Sequence, residues 1–454
     1  MNAAETLPVV VIGAGPVGLA AAAHLIEKGE RPLVLEAGAT VAASVLSWGH
    51  VKLFSPWRYC VDEAAQRLLE KTGWASPDLE SWPTGRELAE GYLLPLSDTP
   101  ELAPLILTGA KVISVARFGL DKMKNEGRDE APFILTVEYS DGREETIPAR
   151  AVVDASGTYT TPNPLGSSGI PAPGEKRAAS RILYRIPDLH GSDRLRYAGK
   201  RIAVVGSGHS AFNALIELAE LRADAPETRI VWILRKIDTK DIYGGEASDE
   251  LPARGALGGR VRALVDSGSV RLEGGFRIAL VEIGSSDVTL MAEDGRRASA
   301  DEIVATTGFR PNLAMLSELR LDLHVSVESP TVLADMIDPN FHSCGSVEPH
   351  GALHLAHPEK GFYIVGMKSY GRAPTFLMLT GYEQVRSIAC ELTGDHGGAR
   401  KVELVLPETG VCSGDACCAP PVRKRLVNLA RSTQLRQGMG GASGAGCNET
   451  AGCC

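Results

Sequence analysis

Two glycine-rich turns constrain the fold of this chain more than any other feature of its sequence. The first reads Gly13-Ala14-Gly15-Pro16-Val17-Gly18, and the second reads Gly206-Ser207-Gly208-His209-Ser210-Ala211. Each turn follows an apolar run typical of a buried parallel strand, and after the first turn residues 19–27 have the pattern of a helix. The pair predicts an α/β fold with two Rossmann-like dinucleotide-binding domains.

Each glycine of the first turn has its own expected role. Gly13 permits the tight turn, Gly15 lets a pyrophosphate approach the backbone, and Gly18 allows close packing of helix against strand. The N-terminus of the helix offers unpaired N–H groups to the phosphates. Residues 32–35 form a second apolar run that ends at Glu36, whose carboxylate can accept hydrogen bonds from ribose hydroxyls. Strand, helix and acid together distinguish this motif from an ordinary glycine-rich turn.

The second turn also follows an apolar run, at residues 200–205, but differs from the first in two respects. Ala211 replaces the third glycine, and the strand predicted at residues 230–234 ends in Arg235 and Lys236 instead of an acid. Cations at this point can pair with a 2′-phosphate, so we predict that the second site prefers NADPH over NADH. The alternative is that both side chains are solvated charges at the end of a strand.

Length and composition fit an enzyme with several domains. The chain has 454 residues, of which 44% are hydrophobic, and a net charge of −9 that argues against a nucleic-acid partner. Glu5 precedes the first apolar run, and His24 and Glu27 interrupt its continuation. We therefore expect neither a signal peptide nor a membrane span, and we expect a cytoplasmic location.

The two halves of the sequence follow one plan. In the first half, a hairpin-like stretch beginning at Phe133–Tyr139 leads into an apolar strand that ends near Gly157. In the second half, Val288–Ala292 leads into a strand that ends near Gly308. We expect each hairpin to cover one side of a parallel sheet.

These motifs resemble those of flavoproteins with two dinucleotide-binding domains, and most of all the flavin-containing monooxygenases. The resemblance covers residues 7 to about 395 and rests on the two glycine-rich turns, Glu36, residues 154–157 and residues 305–311. It implies FAD at the first turn and NADPH at the second. It also implies a helix over residues 381–391 whose N-terminus faces the flavin. Further cofactor-site residues that it implies are Trp48, Ala155, Gly157, Thr307, Gly308 and Gly366.

The resemblance also implies the domain organisation. Residues 1–165 form the first part of the FAD-binding domain, with an insertion between Ser44 and Pro104. Residues 166–300 form the NADPH-binding domain, and residues 301–395 return to complete the FAD-binding domain. Residues 396–454 remain as a C-terminal segment with a basic helix, predicted at residues 422–436, and a cysteine-rich flexible tail.

The family resemblance implies a monooxygenase in which NADPH reduces the flavin and an oxygen atom passes to a small-molecule soft nucleophile. The chain departs from the family pattern in three places. The double glycine and tryptophan that the family has shortly after the first acidic residue appear here only as residues 45–50, which include Trp48 and Gly49. Residues 182–188 lack the aromatic-glycine pattern with its spaced histidine, and Met367 stands where an aspartate usually follows Gly366. No catalytic side chain is identified, and His50, after a Trp-Gly turn, is interpreted as structural.

Cysteines crowd the end of the chain. Six of the nine lie in the last 43 residues, including the adjacent pairs Cys417-Cys418 and Cys453-Cys454. Adjacent thiolates suit thiophilic metals and metalloids, so we predict a metal or metalloid site there. A flexible tail with incidental cysteines is the alternative. The pattern resembles flavoprotein monooxygenases found alongside bacterial arsenic-resistance functions, which implies a trivalent arsenical as ligand or substrate.

Two other functions stay open. The first is an FAD- and NAD(P)H-dependent reductase that uses the tail thiols, as mercuric reductases use a similar C-terminal pair. The second is a metalloid-binding flavoprotein with little turnover. The body of the chain lacks the CxxxxC and CxxC pairs that disulfide reductases need, and Cys60 stands alone after the first acidic residue. The monooxygenase is therefore the first hypothesis.

Overall fold

The computed structural model describes residues 7–237, 242–243, 252–340, 349–373 and 376–404, without the side chains of residues 252–255. Its strands, in chain order, are β1 Val9–Ile12, β2 Leu33–Leu35, β3 Ile106–Leu107, β4 Ala110–Arg117, β5 Phe133–Tyr139, β6 Glu144–Ala149, β7 Ala151–Asp154, β8 Ile182–Leu183, β9 Arg201–Val205, β10 Arg229–Ile233, β11 Arg271–Glu273, β12 Ile278–Ile283, β13 Val288–Ala292, β14 Arg297–Ala300, β15 Glu302–Ala305 and β16 Phe362–Ile364.

The α-helices connect and cover these strands. They are α1 Pro16–Glu27, α2 Ala43–Ser47, α3 Glu63–Glu70, α4 Gly85–Leu88, α5 Leu94–Ser97, α6 Arg194–Tyr197, α7 His209–Asp224, α8 Pro252–Asp266, α9 Thr331–Ile337, α10 Ala352–Leu355, α11 Met378–Leu392 and α12 His396–Arg400.

The first large sheet contains five parallel strands in the order β16-β7-β1-β2-β3. β1 lies at its centre, with Val10 opposite Val152 on one side and Leu33 on the other. Every residue of β1 and β7 is buried, as expected for strands covered on both faces. β16 is the last strand in sequence but pairs with β7, so the chain returns to this sheet after building the second one.

The second large sheet repeats this arrangement. Its strand order is β11-β10-β9-β15-β8, and all its pairings are parallel. β9 lies at the centre, with Ala203 opposite Val231 and Ile303. In both sheets the central strand is therefore the one that leads into a glycine-rich turn, with a crossover on either side.

A small antiparallel sheet covers one face of each large sheet. β4, β5 and β6 form the first, whose Leu135 shares a core with Val10 of β1. β12, β13 and β14 form the second, whose Leu290 shares a core with Ala203 of β9. Both hairpins thus have the position that the sequence predicts for them.

Helices cover the opposite faces. Leu19 of α1 shares a core with Leu68 of α3 and Val385 of α11 on the first sheet. Leu215 of α7 shares a core with Val204 of β9 on the second. Sheet layers between helices and a small sheet confirm the predicted α/β class with two Rossmann-like units.

Buried ion pairs anchor the segment that returns to the first sheet. Glu359, three residues before β16, accepts hydrogen bonds from Arg117 at 2.7 Å and from Arg128 at 2.7 Å. All three side chains are at most 3% exposed. Because Arg117 ends β4, these pairs fix the entry of β16 against the small antiparallel sheet.

The predicted elements and the structure differ mainly at their ends. α1 begins at Pro16, three residues before the predicted start at Leu19, because the fixed φ of proline suits the first position of a helix. The insertion between Ser44 and Pro104 contains the short helices α2 to α5. The domain boundaries at residues 165, 300 and 395 stay predictions.

Some sequence predictions fall on the end of the chain. The basic helix of residues 422–436 and the paired tail cysteines lie outside the described residues. In the described part of the chain, no helix combines the length and apolarity that a membrane crossing requires.

Candidate nucleotide-binding sites

The turn between β1 and α1 leaves open space where a pyrophosphate would bind. Gly13 has a φ of +101°, and a Cβ on it would lie 2.8 Å from the carbonyl oxygen of Ala155. A Cβ on Gly18 would lie 1.9 Å from the carbonyl oxygen of Gly13, so no larger residue allows this close packing. Around a Cβ built on Gly15, by contrast, no heavy atom lies within 4 Å. The N-terminus of α1 carries no side-chain cap, so its N–H groups can serve an anion.

Glu36 follows β2, and the backbone of the first turn fixes its carboxylate. One oxygen accepts the N–H of Ala14 at 2.7 Å, and the other accepts the N–H of Gly38 at 2.7 Å. A carboxylate can accept about four hydrogen bonds, so lone pairs remain for ribose hydroxyls. The position of Glu36 beside Ala14 fits the predicted role.

Two further predicted segments meet the same turn. Ala155 donates its N–H to the carbonyl oxygen of Ile12 at 2.9 Å, which aligns the end of β7 with the end of β1. Gly157, two residues later, turns with a φ of +69° and has open space around a Cβ position. Gly366, two residues beyond the end of β16, has a φ of +67°, and a Cβ on it would lie 3.3 Å from the side chain of Val17. The carboxyl ends of β1, β7 and β16 therefore converge at the start of α1.

A buried ion pair that the sequence analysis does not predict lies at this convergence. The ammonium of Lys368 donates to Asp154 Oδ2 at 2.7 Å and to Ser156 Oγ at 3.0 Å. The Lys368 and Asp154 side chains are 1% and 0% exposed. Ser156 donates its N–H and its hydroxyl to the other oxygen of Asp154, at 3.1 and 2.6 Å. These three residues close a ring of hydrogen bonds directly after β7.

The turn between β9 and α7 repeats the geometry of the first. Gly206 has a φ of +134°, and a Cβ on it would lie 2.3 Å from the carbonyl oxygen of Thr306. Gly208 has no heavy atom within 4 Å of a Cβ position and directly precedes the uncapped N-terminus of α7. This turn therefore offers both the open space and the N–H groups that the phosphates of a nucleotide would require.

The remaining residues of the second turn divide between core and surface. Ala211 is fully buried, whereas Ser207 and Ser210 are exposed at the opening of the turn. The ring of His209, at the first position of α7, meets the ring of Phe54 edge to face at a centroid distance of 5.4 Å. Phe54 belongs to the insertion in the first nucleotide-binding unit, so the insertion reaches the second turn.

The two predicted cations lie at the carboxyl edge of the second sheet. β10 ends at Ile233, and Arg235 and Lys236 follow with exposed side chains. Arg235 donates one hydrogen bond, to the carbonyl oxygen of Ser167 at 3.3 Å, within the described part of the chain. Since β10 runs parallel to β9, both cations lie at the same edge of the sheet as Gly206. Their role toward a 2′-phosphate stays a prediction.

Thr307 and Gly308 lie where the chain crosses between the two large sheets. Asn163 lies in the segment that leads from β7 of the first sheet to β8 of the second. Its backbone carbonyl accepts from the Thr307 hydroxyl at 2.5 Å, and its side-chain amide donates to the Thr307 carbonyl at 3.1 Å. The N–H of Asn163 also donates to the carbonyl of Gly308 at 2.8 Å, and Arg310 donates to the Asn163 side chain at 2.9 Å. The two crossings thus run side by side. Contact with a cofactor stays a prediction for Thr307 and Gly308.

Trp48 and His50 pack within the protein. A Cβ on Gly85 would lie 2.6 Å from the Trp48 ring, so that glycine makes room for the indole. Burial lowers the pKa of His50, and the negative charge of Asp188, which lies between β8 and β9, opposes this effect. A structural role fits His50, and a cofactor contact of Trp48 stays a prediction.

The two cysteines that the structure describes are free and buried. Cys60 donates to the carbonyl oxygen of Pro56 at 3.4 Å, and burial raises its pKa to about 12. Such a thiol stays protonated at neutral pH and is a poor nucleophile. Cys390 is 3% exposed. Neither thiol is available for disulfide exchange.

The predicted metal ligands Cys417, Cys418, Cys453 and Cys454 all lie outside the described residues. Where the structure does describe the chain, no group of three or more His, Cys, Asp or Glu side chains could hold a metal ion. A metal or metalloid site in the tail therefore stays a prediction.

The family of this chain follows from its match to a sequence model. The model described as pyridine nucleotide-disulphide oxidoreductase matches residues 7–329. The chain belongs to this family. Pyridine nucleotide-disulphide oxidoreductases are FAD-dependent enzymes with a pyridine nucleotide partner, in agreement with the two turns described above. A search of curated proteins found no sequence similar to this one.

Solved structures of several oxidoreductases share the fold. Bacillithiol disulfide reductase from Bacillus cereus is 19% identical with a TM-score of 0.63, and the alignment covers 86% of this chain and 99% of that one. Ornithine hydroxylase from Pseudomonas aeruginosa is 15% identical with a TM-score of 0.55, over 86% and 99% of the two chains. A mutant flavin monooxygenase from Stenotrophomonas maltophilia is 22% identical with a TM-score of 0.52, over 86% and 98%. Both disulfide reductases and monooxygenases therefore have this fold.

Proposed function

We propose that this pyridine nucleotide-disulphide oxidoreductase is an NADPH-oxidising, FAD-dependent monooxygenase that acts on a soft nucleophile. The burial of Cys60 and Cys390 is the observation that carries the proposal. A disulfide reductase passes electrons from flavin to an accessible thiol pair, and the described body of the chain offers none. Oxygen needs no such relay, because it can reach the flavin by diffusion.

The first turn fits FAD. Gly15 leaves the space that a pyrophosphate would fill, and the uncapped start of α1 supplies N–H donors and the positive end of a helix dipole. Glu36, fixed by Ala14 and Gly38, has lone pairs for the ribose hydroxyls. We assign FAD to this turn, with Gly13, Ala14, Gly15, Pro16 and Gly18 as its backbone contacts, and Trp48, Ala155, Gly157 and Gly366 as further residues of the site.

The second turn fits NADPH. Gly208 and the start of α7 offer the pyrophosphate the same open space and N–H donors. Arg235 and Lys236, exposed beyond β10, are suited to a 2′-phosphate because the two cations can neutralise its charge. We assign NADPH to Gly206, Ser207, Gly208, His209, Ser210 and Ala211 with these two cations, and we assign Thr307 and Gly308 to the boundary between the cofactors.

The chemistry of the reaction belongs to the cofactors. When bound, FAD accepts two electrons from NADPH and allows dioxygen to give one atom to the substrate and the other to water. The side chains of this protein bind and orient both nucleotides and keep bulk water out. The start of α11 also contributes, since its Gly381 approaches Val17 in the first turn of α1. The dipole of α11 favours negative charge near its N-terminus, which is the charge that the reduced flavin carries.

We propose a trivalent arsenical as the substrate class. The proposal rests on the two adjacent cysteine pairs of the tail, which are soft ligands suited to such an ion, and on the resemblance to arsenic-resistance flavoproteins. A reductase that uses the same thiols is the competing function, and we keep a cytoplasmic location as part of the proposal.

The test uses the FAD-loaded full chain with NADPH, isotopically heavy dioxygen and either methylarsenite or an organic sulfide. We expect mass spectrometry to find one heavy oxygen atom in the oxidised product and NADPH oxidation in equal amount. The Cys453→Ser/Cys454→Ser variant should oxidise NADPH at the same rate. If all the NADPH appears as hydrogen peroxide with every acceptor, or if the double variant is inactive, the monooxygenase proposal is wrong.

A further inference from the structure

We infer that Lys368 is a positioning residue for FAD. Together with Asp154 and Ser156, it holds the loop after β7 at the spacing from the first glycine-rich turn that the cofactor requires. This inference rests on the proposed binding of FAD at that turn.

The first step of the argument is the burial of the Lys368–Asp154 pair. Both side chains are almost completely shielded from solvent, at 1% and 0% exposure. Removing two charges from water is costly, and well-packed apolar residues of similar size would often stabilise a fold as well or better. A buried pair of this kind therefore points to a requirement for a defined local geometry.

The second step is what the pair holds. Asp154 is the last residue of β7, and its two carboxylate oxygens are divided between Lys368 on one side and Ser156 on the other. Lys368 also donates to Ser156 Oγ at 3.0 Å. The ring of bonds thus fixes both the end of the strand and the residue that begins the turn toward Gly157.

The third step is the contact between this loop and the first turn. A Cβ on Gly13 would lie 2.8 Å from the Ala155 carbonyl oxygen, so the loop already touches the glycine backbone. A shift of a few tenths of an ångström toward Gly13 would displace that turn, and a shift away would open it. Because the pyrophosphate must approach the backbone of the same turn, the position of the loop sets the shape of the cofactor site.

The fourth step is what fixes Lys368 itself. Its segment, Gly366–Tyr370, forms a short 3₁₀ helix after β16. Gln384 of α11 accepts the N–H of Gly366 at 2.8 Å and donates to Ser369 Oγ at 2.9 Å. The lysine is therefore held from α11, and its ammonium connects that helix to the loop beside the first turn.

Three variants of the full chain test this inference by fluorescence titration with FAD. Lys368→Met removes the ammonium and leaves Asp154 unpaired. Asp154→Asn with Lys368→Met removes both charges, so that no unpaired charge stays buried and folding is preserved. Lys360→Met is the control, because Lys360 also lies in the returning segment and also pairs with an aspartate, Asp129, but is 74% exposed.

We expect the dissociation constant for FAD to rise at least about ten-fold in both Lys368 variants and to change by less than about two-fold in Lys360→Met. The visible spectrum of FAD at saturation should also change shape in the Lys368 variants, since the flavin is held differently. Thermal unfolding of the FAD-free double variant should stay cooperative.

Two results would overturn the inference. One is a double variant that folds and binds FAD with unchanged affinity and spectrum, which would make the pair purely structural. The other is a wild-type chain that binds no FAD. If the wild type binds FAD and Lys368→Met weakens that binding, but no oxygen reaches any substrate, the positioning role stands and the monooxygenase proposal fails.

Discussion

At the scale of single residues, two glycines of the first turn differ in the space available for a side chain. Gly18 lies against the Gly13 carbonyl oxygen, at 1.9 Å for a Cβ, whereas Gly15 has open space around it. Gly18→Ala should lower the free energy of unfolding by at least about 2 kcal/mol, because backbone atoms must move apart. Gly15→Ala should leave it within about 1 kcal/mol of wild type.

The same pair separates stability from cofactor binding. Gly15→Ala places a methyl group in the space that we assign to the pyrophosphate, so the dissociation constant for FAD should rise at least about ten-fold despite the intact fold. Urea unfolding and FAD titration of both variants check this prediction. Unchanged FAD affinity in a well-folded Gly15→Ala would show that the open space does not receive the pyrophosphate.

His357 gives the protein a defined sensitivity to acid. Burial lowers the pKa of His357 from 6.5 to about 4, while its Nδ1 accepts the N–H of Asp322 at 3.2 Å. Between pH 6.5 and about pH 4, His357 is protonated in the unfolded chain but neutral in the folded protein. The free energy of unfolding therefore falls as the pH falls through this range. At about pH 5 the loss from this one group is roughly 2 kcal/mol.

The variant His357→Asn tests this contribution. Asparagine keeps an acceptor for Asp322 but does not titrate, so the difference in unfolding free energy between wild type and variant should shrink by roughly 2 kcal/mol from pH 7 to about pH 5. Urea unfolding at several pH values measures it. His190→Asn is the control because the His190 side chain is 72% exposed. A difference that is independent of pH would mean that folding does not lower the pKa of His357.

At the scale of elements, the carboxyl end of β10 sets the predicted coenzyme preference. Arg235 and Lys236 are exposed at this edge, beside the second turn. Replacing both with alanine should raise the KM for NADPH at least about ten-fold and change that for NADH by less than about two-fold. Steady-state kinetics with both coenzymes measure the ratio.

The control for this prediction lies at the other end of the same strand. Arg229 is the first residue of β10 and its side chain is 56% exposed, but it lies far from the second turn along the strand. Arg229→Ala should leave both KM values unchanged. If the Arg235→Ala/Lys236→Ala variant keeps the wild-type preference for NADPH, the two cations do not recognise the 2′-phosphate.

Most elements are predictable from the sequence because their patterns are local. The apolar runs before both glycine-rich turns are β1 and β9, and the hairpin-like stretches are in antiparallel sheets. α11 begins at Met378, three residues before the predicted start at Gly381, in a stretch without a capping side chain. Helix ends are set by single residues and their contacts, so patterning alone locates them less well.

At the scale of the whole molecule, contacts between distant segments account for what the sequence does not reveal. Lys368 and Asp154 are 214 residues apart, and a lysine two positions after a glycine is indistinguishable in sequence from a surface cation. The contact of Phe54 with His209 likewise joins the insertion to the second turn. Only the return of β16 to the first sheet brings the first pair together.

The central claim is that electrons pass from a nucleotide at the second turn to a flavin at the first. The most direct test mixes the FAD-loaded protein with NADPH in the absence of oxygen and records the flavin absorbance. The account predicts that one equivalent of NADPH bleaches the flavin, that NADH does so far more slowly, and that oxygen restores the absorbance. A protein that binds FAD but is not reduced by either coenzyme would contradict the account.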